Sequence, residues 1–187
     1  MTDEELVKLI KKGNKKAFDD LVNGYSSRVI NIAYSLLGDR EEALDAAQEI
    51  FIKVYKNIAN FRGESSVSTW IYRITKNVCT DFLRKRKAVI ISLDDDRDDE
   101  QKIEIPDETS SPEEVFERKE KITLVRTAIA SLDENQRTVI TLFDINGLSY
   151  EEIAAVLRCP VGTVKSRLYR ARETLRKILS KDMELFL

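Results

Sequence analysis

Apolar residues recur three and four positions apart through most of the chain, the spacing of one face of an α-helix. Ala17, Phe18, Leu21, Val22, Tyr25, Val29, Ile32, Ala33 and Leu36 form one such stripe, which Gly38 ends. Ala43, Ala47, Ile50, Phe51, Val54 and Ile58 form a second within DREEALDAAQEIFIKVYKNI. A third, Trp70, Ile71, Ile74, Val78, Phe82 and Leu83, runs through VSTWIYRITKNVCTDFLRKRK, where Arg73, Lys76, Arg84, Lys85, Arg86 and Lys87 make much of the remainder basic. Thr2 with Glu5, and Asp39 with Glu42, pair an N-cap with a Glu three residues on and so predict helix starts.

The pattern lapses over residues 88–112, where LDDDRDDEQKIEIPDETSSP is dense in like charge. Such a segment buries too little apolar surface to offset its ordering entropy, and it reads as a linker. As a flexible coil it would span about 25–30 Å, and fully extended about 80 Å. Helical signals return with Ser111 as N-cap and Pro112 in the first turn. Val115, Ile122, Val125, Ile129 and Leu132 are the expected inner stripe of that helix. Asp133 with Gln136 starts the next, through Val139, Ile140 and Phe143, until Gly147. The chain is therefore expected to be all-α, with one helical domain over residues 1–87 and a second over 113–187.

The end of that second domain carries the most specific pattern. Ser149 and Glu152 form a capping box, predicting a short helix from Tyr150 to about Leu157. Pro160 lacks an amide to continue it, and the chain restarts at Val161 with Val164, Leu168, Ala171, Leu175 and Ile178 on one face. A short helix, a tight turn and a longer basic helix are the helix-turn-helix arrangement, whose second helix fits a DNA major groove. Thr163, Lys165, Ser166, Tyr169 and Arg170 avoid the inner stripe and are free to face DNA, while Arg167, Arg172, Arg176 and Lys177 meet phosphates or solvate the helix. Charge alone does not separate this from an exposed cationic helix of a bundle; the capping box, the interrupted turn and the restart favour DNA.

Composition narrows the function further. The net charge of −2 hides a division: residues 1–87 hold 16 basic and 12 acidic side chains, residues 88–112 hold 2 and 9, and residues 161–181 hold 7 and 1. Two basic modules flank an acidic strap. With no histidine the usual general base, the Ser-His and Cys-His nucleophiles and the common zinc sets are excluded. No GxxxxGK[ST] phosphate loop is present, and no cofactor or metal is expected. Cys79 and Cys159 read as reduced thiols. Without a bilayer-length apolar run or a signal peptide, the chain is expected to be soluble and cytoplasmic.

LDENQRTVITLFDINGLSYEEIAAVLRCPVGTVKSRLYRARETLRKIL closely resembles the promoter-reading C-terminal domain of bacterial ECF (extracytoplasmic function) sigma factors. AFDDLVNGY and DREEALDAAQEIFIKVYKNIANFRGESSVSTWIYRITKNVCTDFLRKRK resemble the core-binding, start-proximal domain of the same family. The resemblance covers nearly all of the chain outside the connector. It implies a non-enzymatic factor that binds core RNA polymerase through its β′ clamp helices and β subunit, directs it to promoter DNA and assists melting.

By that resemblance Asp45, Gln48, Glu49 and Phe51 are the polymerase-binding positions, although read alone Phe51 suits a core and the other three suit solvent. NFRGESSVSTW resembles the loop that captures a base flipped from the −10 element, with Phe61, Arg62, Ser65, Ser66, Trp70, Arg73, Asn77 and Arg84 as the DNA-binding set. A lone Trp at helical spacing is more often a core residue, and Val67 stands where some relatives carry an aromatic. Thr163, Lys165, Ser166, Arg167, Tyr169, Arg170 and Arg172 are the −35 set. The connector resembles linkers that thread toward the polymerase active site; a solvated tether is the simpler reading. The family further implies an anti-sigma factor, often membrane-anchored. A stand-alone helix-turn-helix regulator and a helical interaction module are the rival readings.

Overall fold

In a computed structural model of the chain, the described backbone covers residues 1–92 and 112–183, with side chains described for residues 1–88 and 121–180. Most of the acidic connector, Ser111 included, lies outside them. Eight α-helices make up the described residues: α1 (Asp3–Lys11), α2 (Lys15–Leu37), α3 (Arg40–Asn57), α4 (Val67–Ser92), α5 (Pro112–Ala130), α6 (Glu134–Ile140), α7 (Tyr150–Leu157) and α8 (Val161–Met183). A 3-10 turn (Ile58–Asn60) follows α3, and a π-helical turn (Thr141–Ile145) follows α6. The chain is all-α, as its spacing predicts.

The caps explain where helices begin. Thr2 and Glu5 form a reciprocal capping box on α1, Ser149 and Glu152 another on α7, and Asp39 caps α3. Gly38 closes α2 in the left-handed conformation, which a residue without a Cβ adopts at no steric cost. The centres of the expected stripes are buried: Leu21, Val29, Ile32, Ile50, Val54, Ile71 and Val78 pack together in the N-terminal half, and Ile129, Leu132, Val139, Ile140, Val164, Leu168 and Ala171 in the C-terminal half, where Leu142 and Ile153 join them; the side chain of Val115 lies outside the described residues. Val125 departs from its predicted place on an inner stripe. It stands 41% exposed, because the buried side of α5 runs through Ala128 and Ile129, with Leu132 buried just past the end of the helix. Helix α4 runs on to Ser92, past the residue at which the sequence pattern places the start of the connector.

The two halves meet along α4 and the end of α2, and their buried side chains form one cluster. Arg137 of α6 donates to the carbonyls of Leu36 (3.1 Å), Leu132 (3.0 Å) and Ala130. Glu134 accepts from Thr80 at 2.8 Å and faces Lys76 at 3.5 Å. Arg73 donates to the Ala155 carbonyl of α7 at 3.0 Å. These bonds fix the helix-turn-helix unit against the N-terminal helices.

Candidate functional site

The turn between α7 and α8 is made without glycine. Arg158 takes the left-handed conformation (φ 52°) and its amide returns to the Ala154 carbonyl. Pro160 then offers its carbonyl to the amides of Thr163 (2.9 Å) and Val164 (3.3 Å), starting α8. Val164, Leu168 and Ala171 face inward on α8. The opposite side presents Lys165, Ser166, Tyr169 and Arg170 to solvent, with Tyr169 70% exposed. A large aromatic left that open, between cations, is available to stack on or slide along a groove. Thr163 and Arg167 are half-buried at the flank, and Ser166 returns its hydroxyl to the Thr163 carbonyl at 3.0 Å. Arg172 is held: it grips Asp144 of the π-turn through contacts of 2.5 and 3.2 Å, a bond that raises its already high pKa.

A second surface lies where α3 and the following loop meet α4. Lys53, Asn57, Asn60, Trp70, Ile74, Asn77 and Val78 line an open cleft of about 360 Å³. It brings together Trp70 and Asn77 of the predicted −10 set, and adds Lys53, Asn57 and Asn60, which the sequence reading missed. Trp70 is half-buried, packed on Phe61 with ring centroids 5.2 Å apart. Arg62 is exposed next to Gly63, which turns the loop at φ 75°. Ser65 bonds the Ser66 carbonyl at 3.3 Å; the Ser66 hydroxyl accepts from the Thr69 amide at 3.1 Å, capping α4. Of the set only Trp70 and Asn77 line the cleft, and two of the others point to different partners. Arg73 turns toward α7, where burial lowers its pKa, and Arg84 pairs with Asp81 at 3.4 Å on an exposed turn.

A third surface is the outer side of α3. Asp45 and Gln48 are exposed there, and Glu49 pairs with Lys53 at 2.8 Å. Phe51 packs half-buried against the core. Leu44, Ile52 and Tyr55 stand 41%, 53% and 55% exposed, the first two beside Asp45 and Gln48. Three large apolar side chains are thus exposed along one helix, Tyr55 resting edge-on against Phe18 with ring centroids 4.9 Å apart. Their signal in the sequence is an apolar residue off the buried stripe, which a reading focused on the core passes over.

Among the described residues no cluster of His, Cys, Asp or Glu is arranged to hold a metal, and no helix is long and apolar enough to cross a membrane. Residues 21–89 match the family model described as Sigma-70 region 2, and residues 122–175 match Sigma-70, region 4. The RNA polymerase sigma-H factor of Pseudomonas aeruginosa is 41% identical over 180 residues, covering 95% of this chain and 93% of the relative. The ECF RNA polymerase sigma-E factor of Escherichia coli K12 is also 41% identical over 180 residues, covering 94% of this chain and 93% of the relative. Two solved structures superpose with a TM-score of 0.71. One is CnrH in complex with the cytosolic domain of CnrY, at 26% identity and covering 96% of this chain and 98% of that one. The other is the sigma factor RpoE in complex with the anti-sigma factor NepR from Bartonella quintana, at 27% identity and covering 88% and 98%.

Proposed function

The chain belongs to the ECF sigma factors, with sigma-70 regions 2 and 4 as its two helical halves, and from that premise we propose which surfaces perform each part of the work. The outer side of α3 docks on the β′ clamp helices of core RNA polymerase. Leu44 and Ile52 supply buried apolar area, with Asp45 and Gln48 at the polar rim. The cleft at Trp70 and Asn77 receives a base extruded from the −10 element. Melting a few base pairs costs several kcal/mol, and stacking together with polar contacts to the exposed base offsets part of it. No nucleotide hydrolysis is needed, since binding energy drives the opening; the protein is not itself an enzyme.

The exposed side of α8 reads the −35 element in the major groove. Arg170 is placed to donate to guanine, and Ser166 to a base or a phosphate. The observation that carries this reading is the segregation of α8: a fully buried Val164–Leu168–Ala171 stripe opposite Lys165, Ser166, Tyr169 and Arg170, all open to solvent. We further propose that an anti-sigma factor holds the chain inactive, as the two structural neighbours solved with their partners suggest.

Copurification with bacterial core polymerase tests the assignment. The full chain should associate in equal stoichiometry, and Ile52→Asp, which puts a charge into the proposed contact, should weaken that association by at least ten-fold while leaving the fold unchanged. An Ile52→Asp chain that binds core as well as the wild type would remove α3 as the docking surface.

A further inference from the structure

Beside the reading face of α8 four side chains stand in a row. The Lys165 ammonium lies over the Tyr150 ring, 5.3 Å from its centroid. Tyr150 stacks on Phe143 at 4.7 Å with 24° between the planes. The Arg172 guanidinium lies over the far ring, 5.3 Å from the Phe143 centroid. Lys165 and Arg172 are two helical turns apart on one side of α8, about 10 Å along its axis, and the two rings span that interval. Asp144, adjacent to Phe143, completes the grip on Arg172.

The local backbone positions these groups. The π-turn carries both Phe143 and Asp144, and Asn146 secures it by donating from its backbone and side-chain amides to the Thr141 carbonyl at 3.1 and 2.7 Å. The Ser149 capping box sets Tyr150 as the first residue of α7. The inward face of α8 is aliphatic, so its burial sets which side of the helix meets the core but gives the exposed flank no directed contact. Two cation–ring contacts and one charge pair, two turns apart, supply that direction.

We propose that the Phe143–Tyr150 stack is a positioning element for −35 recognition. It fixes the rotation of α8 about its own axis and holds Lys165 extended, so that Ser166, Tyr169 and Arg170 reach the groove without first being ordered. Arg172, counted above among the DNA-binding residues, acts here as a strut to Asp144 and Phe143. The inference rests on the −35 reading of α8.

The test uses holoenzyme reconstituted from the full chain and bacterial core polymerase. Its ligand is a promoter duplex that this holoenzyme has selected from sheared genomic DNA, compared with the same duplex carrying a scrambled −35 element. The ratio of the two affinities is read. Tyr150→Leu, which keeps apolar bulk but removes the ring, should lower that ratio by about three- to five-fold, whereas Tyr150→Phe should keep the wild-type value. In a Lys165→Met background Tyr150→Leu should cost nothing further. Arg172→Gln should lower the ratio while leaving the salt dependence of binding at the wild-type slope, whereas Lys165→Met should reduce that slope by about one.

A wild-type ratio for Tyr150→Leu, an undiminished loss in the Lys165→Met background, or a slope reduced by one in Arg172→Gln would each overturn the positioning role. Should Tyr150→Leu fail to fold, Asp144→Asn on the exposed side of the turn carries the test. A ratio lowered about two-fold at wild-type melting temperature supports the strut, and an unchanged ratio overturns it. Arg170→Ala distinguishes the two levels: if it leaves the ratio intact, the −35 reading itself fails.

Discussion

The basic faces of α4 and α8 look alike in sequence, but among the described residues the fold engages Arg73, Lys76 and Arg86 of α4 and leaves Arg167 and Arg170 of α8 unpaired. On α4, Arg73 is bonded to the Ala155 carbonyl, Lys76 faces Glu134 and Arg86 reaches the Leu37 carbonyl at 3.4 Å. Arg73 and Lys76 tie α4 to the C-terminal half, and Arg86 ties it to α2 within the N-terminal half. On α8, Arg167 and Arg170 have no ion-pair partner among the described residues. Cationic density therefore does not by itself mark a nucleic-acid face; what matters is whether neighbouring carbonyls and carboxylates have already claimed the charge. Replacing an α4 cation should register as lost stability, and replacing an α8 cation as lost recognition.

Perturbing what lies beneath the α8 face has the largest expected effect. Leu142, in the π-turn, is fully buried, and Leu142→Ala should cost about 2–5 kcal/mol of stability, measured by urea denaturation, with recognition lost as a consequence of unfolding. Arg170→Ala should sharpen the contrast: specific promoter binding by the holoenzyme weakens by about 1–3 kcal/mol while chain stability stays within about 0.5 kcal/mol of wild type. Loss of stability with intact promoter affinity would reverse the assignment of the α8 face. Ser149→Ala removes the cap of α7 and should cost about 1 kcal/mol in the same urea titration.

Arg73→Gln on α4 should cost about 0.5–1.5 kcal/mol of stability for one lost hydrogen bond from a half-exposed group. A weakened promoter complex at unchanged stability would instead return Arg73 to the DNA. The thiols give the smallest effect. Burial pushes Cys79 up to about 12, so it remains a protonated, enclosed thiol at pH 8 and should resist alkylation until the chain unfolds. Half-buried Cys159, in the turn before α8, should label first, as mass spectrometry after a short iodoacetamide pulse would show.

Much of the fold is legible in the residues because its determinants are local. Capping boxes at Thr2–Glu5 and Ser149–Glu152, the Pro112 start and the aliphatic stripes each act within a few positions, and the helices follow them. The helix-turn-helix was readable for the same reason. The missing parts depend on contacts distant in sequence. The π-turn has no periodic signature: Thr138–Leu142 are buried in succession, which no single helical face allows, and tertiary packing alone selects the wider turn. Arg73 finds its acceptor 82 positions away. Arg172 reads as one more phosphate ligand until Asp144 is brought beside it. The exposure of Leu44, Ile52 and Tyr55 shows only when the core is seen to close without them.

Run-off transcription by purified core polymerase, with and without the chain, on the DNA fragments that the reconstituted holoenzyme selects, tests the central claim most directly. The account predicts discrete start sites that require the chain and that fade when the −35 bases are scrambled or Arg170 is replaced by alanine. Transcripts independent of the chain, or start sites indifferent to both changes, would contradict it.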